Sequence, residues 1–194
     1  MSSQKKEDVL AAALQLVSQH GFHGTSMSMI ADEANCGAGT IYNYFPSKDA
    51  LMKALYIQIK HEFIQMILQD ITPEMNLKAR FFTNWRNIIQ YYLQFPDRVT
   101  FTQQFYYSPY FDQSTVEQMN AIMAPLVLPY EMAMQQGFIK PMPLPVLETL
   151  TLDMASSLAR RHIKGEILLD EELINATAEM CWSAIRKDKI DRKD

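Results

Sequence analysis

Three observations predict an all-α fold. Apolar residues recur at three- and four-residue spacing along most of the chain, no stretch alternates with period two, and the breaks carry Gly, Pro or capping Ser, Thr and Asp. The expected architecture is an N-terminal three-helix domain built around a helix-turn-helix. A long helix joins it to a larger helical domain, with about nine helices in all. The boundary is expected after residue 50, giving segments 1–50 and 51–194.

The first helix is expected from about Gln4 to His20, with Val9, Ala13, Leu16 and Val17 on one face and Gly21 as a left-handed stop. From Thr25 to Leu51 the pattern is unusual. Met29, Ile30 and Ala34 keep helical spacing, Asn35-Cys36-Gly37-Ala38-Gly39 breaks it, and Thr40 to Phe45 resumes it. The second of these helices is too short to stand alone, since isolated helices under about 12 residues are marginal. Neighbours must hold it while its outer face stays free, as in a helix-turn-helix that reads a DNA groove. Ser47 caps the next helix, which runs toward Asp70 with Leu51, Leu55, Ile59, Phe63 and Ile67 stepping by four. Thr72-Pro73-Glu74 reads as a helix start, that helix ends at Phe95, and Pro96 to Tyr107 forms a shorter one. Ser114 and Glu117 read as a capping box for a helix to Gly137, with a kink or break expected at Pro125 and Pro129. After the extended Lys140–Pro145 loop, two long helices cover about Leu144–Lys164 and Asp170–Lys187, with Gly165 and Asp170 between them.

The run from Thr25 to Leu51 resembles the signature of the tetracycline-repressor (TetR/AcrR) family. It is carried by Thr25, Ile30, Ala31, Ala34, Gly39, Thr40, Ile41, Tyr42, Tyr44, Phe45, Ser47, Lys48 and Leu51, with Val9 to Val17 and Gly21-Phe22 similar to the first helix and its exit. The likeness covers about residues 5–60; beyond it only length and helical character agree. It implies a homodimeric transcriptional regulator that binds double-stranded operator DNA, with Thr40, Tyr42, Asn43 and Tyr44 in or beside the major groove. One departure stands out: Asn35-Cys36-Gly37 occupies the place where such proteins usually have Gly-Val-Ser, so no hydroxyl caps the recognition helix.

Composition fits a small cytoplasmic regulator. There is no apolar run long enough for a membrane span and no leader pattern, and two isolated cysteines fit a reducing compartment. The net charge of −4 is awkward for a DNA binder, and residues 1–50 set Lys5, Lys6 and Lys48 against five carboxylates. Its best use is support for an alternative, a ligand-carrying or protein-interaction helical module in which the helix-turn-helix only packs.

For DNA, Thr25 and Ser26 at a helix start are candidate phosphate ligands, Gly39 permits close approach, and Lys48 grips phosphate. Asn43 suits a bidentate pair with adenine, worth about 1–3 kcal/mol of discrimination. The aromatic and methionine content between Phe81 and Met134 suggests a pocket for an apolar or aromatic effector, with Trp85, Phe105, Tyr106, Tyr110, Met123 and Tyr130 as candidate walls and Arg86, Gln103, Gln104 or Glu131 as polar contacts. Dimerisation is expected on Leu150, Met154, Leu158, Ala176, Met180 and Ala184, and the resemblance implies a four-helix bundle shared by two chains. No metal-ligand spacing, phosphate loop, cofactor motif or nucleophile motif appears in the sequence, so an enzyme is not expected.

Overall fold

The computed structural model describes residues 2–187. Its helices are α1 (Ser2–Gly24), α2 (Met27–Glu33), α3 (Ala38–Tyr44), α4 (Lys48–Leu68), α5 (Leu77–Gln94), α6 (Pro96–Tyr106), α7 (Gln113–Gln135), α8 (Leu144–Glu148), α9 (Met154–Ile163) and α10 (Glu171–Ile185). A π-helical turn, Thr149–Asp153, joins α8 to α9. The fold is all-α, and the one β pairing among the described residues is an isolated bridge between Ile139 and Arg186.

The described residues form two compact units, residues 2–62 with 95–122, and residues 63–94 with 123–187. This differs from a division after residue 50, and the first unit's core explains why. Phe101 and Phe105 of α6 are fully buried in the same cluster as Val9, Val17, Ile30, Ile41 and Leu51 of α1–α4. Phe22, Tyr56 and Phe105 interlock there, with Tyr56 stacked on Phe105 at 4.5 Å between ring centres. The helix-turn-helix therefore borrows two large aromatics from a later segment. Three short helices alone bury too little apolar surface, and each buried Phe adds about 1.5–3 kcal/mol.

The helix ends are built by identifiable residues. Gly21 takes φ 71°, which ends the regular part of α1. The carbonyls left there find side-chain donors: the Thr25 hydroxyl donates to the Gly21 carbonyl at 2.9 Å, and the Lys48 ammonium donates to that of Phe22. Ser47 Oγ accepts from the Ala50 N–H, capping α4 as expected.

In the second unit, Phe81, Trp85, Ile88 and Ile89 of α5 and Trp182 and Ile185 of α10 are buried, with Phe81 5.4 Å from Trp182 between ring centres. Lys140 N–H donates to the Ile185 carbonyl and Lys187 N–H to that of Phe138, which ties the loop after α7 to the end of α10.

Four local expectations are corrected. The helix expected at Pro73 begins at Leu77 instead, because Asn76 Oδ1 caps it through the Ala79 N–H at 2.9 Å. The cap of α7 is Asp112, whose Oδ1 accepts from the Thr115 N–H at 3.0 Å, so Ser114 lies inside the first turn. That carboxylate also holds Lys53 and Thr115 Oγ1, and these bonds pull its pKa down to about 2. The helix α7 runs unbroken through Pro125 and Pro129, although neither ring nitrogen can donate to the preceding turn. Finally, the segment expected as one helix over Leu144–Lys164 is divided by the π turn.

Candidate nucleic-acid interface and buried cavity

The turn between α2 and α3 is built without glycine at its critical point. Asn35 takes φ 48°, and Cys36 N–H bonds the Ala31 carbonyl while Asn35 N–H bonds that of Asp32. This is the double bond of a Schellman ending with Asn in the left-handed place usually held by Gly. Lys5 reaches across from α1 to donate to the Ala34 and Asn35 carbonyls at 3.2 and 3.3 Å. Gly37 then opens α3 in extended conformation without a side-chain cap.

On α3 the two faces divide sharply. Ile41 is fully buried and Phe45, just past the helix, is nearly so, while Gly39, Tyr42 (52% exposed) and Asn43 face outward and Thr40 and Tyr44 are half-buried. An added Cβ at Gly39 would meet no atom of the chain within 4 Å, so packing does not demand glycine there. Ser26 is exposed and caps α2 through the Met29 N–H, its hydroxyl also 2.9 Å from that of Ser28.

Two candidates are placed differently. Thr25 is 1% exposed, with its hydroxyl spent on Gly21, so it is a structural cap and not a surface group. Lys48 is half-buried and ties the start of α4 to the end of α1, a role that its sequence position did not announce.

In the second unit a cavity of about 50 Å³ lies between α5, α7 and the α8–π-turn segment. Trp85, Met123 and Tyr130 line it. Asn84, Glu148 and Thr151 join them, a polar set outside the aromatic and methionine walls expected from the sequence. The sequence signal for Asn84 was its place beside Trp85 on one helix; a lone Asn in an apolar stripe is easily read as surface.

The other wall candidates lie elsewhere. Phe105 is core of the first unit, Tyr110 packs against Phe22, and Tyr106 is 52% exposed. The grouping of six therefore separates into two sets of three, because residues 95–122 belong to the first unit and residues 63–94 and 123–187 to the second. Arg86, Gln103, Gln104 and Glu131 are not among the residues lining the cavity; Arg86 bonds Asn175 at 3.3 Å.

The cavity's polar groups are unevenly satisfied. Asn84 Nδ2 donates to the Tyr130 hydroxyl at 3.1 Å, whereas Asn84 Oδ1 and Trp85 Nε1 are buried without a partner. Burial pushes the Tyr130 hydroxyl up to about 12, against the lowering effect of the Asn84 bond, so it stays protonated at neutral pH.

On α9 and α10, Met154, Ala176, Met180 and Ala184 are exposed and Leu158 half-buried, as is Leu150 in the π turn. Among the described residues no group of three or more His, Cys, Asp or Glu could hold a metal, and no helix is long and apolar enough to cross a membrane.

Comparison with known proteins agrees with this architecture. Residues 9–55 match the family model for bacterial regulatory proteins of the tetR family, and residues 76–186 match a tetracyclin repressor-like C-terminal domain. An uncharacterized HTH-type transcriptional regulator of Haemophilus influenzae is 26% identical over 93% of this chain and 95% of its own. A TetR family regulator structure from Marinobacter aquaeolei superposes with TM-score 0.89 at 25% identity, covering 94% of this chain and 96% of that one. The structure of a TetR family protein from Vibrio parahaemolyticus, 30% identical with TM-score 0.84, covers 94% and 99%. With family models spanning most of its length, this chain belongs to the TetR family of transcriptional regulators.

Proposed function

We propose that the chain is a cytoplasmic, homodimeric, sequence-specific DNA-binding repressor, released from its operator by a small apolar or aromatic molecule. The observation that carries the reading is the outward face of α3. Gly39, Tyr42 and Asn43 are uncovered on a helix whose opposite side is locked by Ile41 and Phe45. A helix-turn-helix that only packs would have no reason to leave an amide and a phenol on that face or glycine at a position where a Cβ fits freely. On this reading Asn43 reads a base, Tyr42, Thr40 and Tyr44 touch groove walls or phosphates, and Ser26 serves the backbone.

Support for the dimer comes from α10. Ala176, Met180 and Ala184 recur every four residues on an uncovered side, and the small residues allow a partner helix to approach closely. Two recognition helices would then meet half-sites about one turn of DNA apart on a near-palindromic operator.

Support for an effector comes from the cavity and its walls. Sites for small molecules usually hold about 300–1,000 Å³, so the present 50 Å³ is a closed state that must widen. One of the three walls contains a π turn, a feature frequent at functional sites, and another is a continuous helix carrying two internal prolines. The third wall, α5, also carries Asn87, which donates to the Ile67 carbonyl at 3.0 Å and so holds the end of α4. Because α4 begins at the Lys48 anchor, a displacement of α5 acts on the helix that carries the reading domain. Release requires the effector to bind the DNA-incompetent state more tightly.

The test is a gel-shift titration on the DNA upstream of the chain's own coding sequence, with competitor duplex. A discrete complex that survives competition is expected. Binding that competitor abolishes, steeply salt-sensitive at every sequence, would refute it.

A further inference from the structure

We infer that the cavity of the second unit takes an apolar molecule bearing a carbonyl oxygen, and that the Trp85 indole N–H holds that oxygen. The inference rests on the effector reading above and names the chemistry of the molecule. Trp85 lines the cavity and is 1% exposed, and its Nε1–H donates to no group among the described residues. A buried indole N–H usually has an acceptor. Leaving one bare costs on the order of tenfold to a hundredfold in the folding equilibrium. A phenylalanine would avoid that cost and keep a ring stacked against Phe81, whose centre lies 5.9 Å from that of Trp85.

The other polar groups around the cavity do not make this selection. Thr151 donates its hydroxyl hydrogen to the Leu147 carbonyl at 2.7 Å. Glu148 is exposed, so water weakens the reach of its charge. The Asn84 amide and the Tyr130 hydroxyl lie 3.1 Å apart, and each can donate or accept. That pair can turn a donor or an acceptor toward a ligand and tolerates either. An indole N–H can only donate. Trp85 therefore fixes the sign of the contact, and the ligand must bring the acceptor.

A carbonyl oxygen meets that demand with no hydrogen of its own to satisfy. One lone pair serves Trp85, and the second is open to the adaptable Asn84–Tyr130 pair. Phe81, Ile88, Met123, Leu126 and Leu147 complete an apolar wall that suits a hydrocarbon body. In the closed state the 50 Å³ available can hold a water that serves the indole. An oxygen carried on an apolar body displaces such a water and keeps its hydrogen bond. Ketones, esters and carboxylates share this oxygen, and the experiment separates the neutral source from the charged one.

The experiment titrates three probes into the full chain by calorimetry: acetophenone, α-methylstyrene and benzoate. The second has the shape of the first with CH₂ in place of the carbonyl oxygen, and the third is the charged source. The ratio of ketone to alkene affinity is expected to fall about tenfold in Trp85→Phe. Altered ring packing acts on both probes alike, whereas loss of the N–H acts on the ketone alone. The indole proton resonances of the two tryptophans give a second readout. Acetophenone should move one of them further downfield than α-methylstyrene does, and this decides alone should Trp85→Phe not fold. Benzoate affinity that falls likewise in the variant supports the assignment and adds carboxylates to the class; benzoate affinity absent or unaltered restricts the class to neutral carbonyls. An unchanged ketone-to-alkene ratio, or resonances that respond alike to both, would overturn the assignment to Trp85 while leaving an effector site intact. Binding of none of the three would overturn both readings. Acetophenone that binds as expected yet leaves operator affinity unchanged would overturn release from DNA and support the assignment.

Discussion

In Gly39→Ala the fold and the DNA make opposite demands. Gly39 is the second residue of α3 with no positive φ, and an added methyl would touch nothing in the chain. Helical Gly→Ala gains about 0.5–1 kcal/mol, the lower end applying in a first turn. In a chain of this size that raises the melting temperature by about 1–3 °C. On DNA the same methyl stands on the face that must approach the backbone. Pushing α3 back by a few tenths of an ångström weakens at least one hydrogen bond per protomer, about 1 kcal/mol each. Two protomers lose about 2 kcal/mol, roughly thirtyfold in affinity. The assays are thermal denaturation and anisotropy of a labelled operator duplex. Undiminished affinity in a stable variant would show that α3 does not seat Gly39 against DNA, and a lowered melting temperature would refute the open space around it.

Other substitutions separate roles that the sequence merged. Asn43→Ala should leave stability within about 0.5 kcal/mol and relax the preference at one base pair by about 1–3 kcal/mol, read from binding to single-base operator variants. Lys48→Met keeps the stem but not the donor to the Phe22 carbonyl, so it should lower stability by about 1 kcal/mol as well as weakening all sequences alike. Unchanged stability would return Lys48 to a purely phosphate-facing role. Tyr130 is raised above its ordinary value of 10.0 to about 12, so the neutral form belongs to the folded state. The stability it contributes is whole below pH 10 and is lost as pH rises toward 12. Tyr130→Phe should flatten that part of the alkaline denaturation profile. Met180 is 68% exposed on α10, and Met180→Asp should shift the chain to a monomer on sizing while leaving its helicity intact; a dimer that persists would move the interface elsewhere.

The elements were legible where local chemistry decides them. Ser47, Asp170, Pro96, Gly21 and Gly165 punctuate the chain where Ser, Asp, Pro and Gly should. Less legible were choices between adjacent candidates: Asp112 displaced Ser114 as a cap, and Asn76 displaced Thr72. Short helix starts compete within about 1 kcal/mol, and packing selects among them. The membership of Phe101 and Phe105 in the first core was hidden for a different reason. Nothing local tells an aromatic which unit it will enter, and that choice is made by contacts far apart in sequence. The same blindness merged two aromatic sets into one pocket and left Asn84 out of it. Tertiary polar pairs such as Asn84 with Tyr130, 46 residues apart, leave no periodic trace.

The lysines of the reading domain are fewer in effect than in number. Lys5 is committed to the Ala34 and Asn35 carbonyls and Lys48 to that of Phe22, while Lys6 lies 5.8 Å over the Phe45 ring. Lys5 thus supports the turn where Asn stands in place of Gly, and Lys48 satisfies a carbonyl left at the end of α1. What remains for phosphate is hydroxyls, backbone N–H groups and the spare hydrogens of those ammoniums, which release few counterions. If a dimer neutralises about four phosphates, raising salt from 50 to 200 mM should cost roughly a hundredfold in affinity, against about 10³–10⁵ for proteins with six to ten such contacts. A log–log salt slope of about −8 or steeper would mean that these lysines leave their carbonyls on binding. In that event the turn between α2 and α3 is remodelled by DNA, and Asn35→Gly, which keeps the turn without Lys5, should tighten the complex.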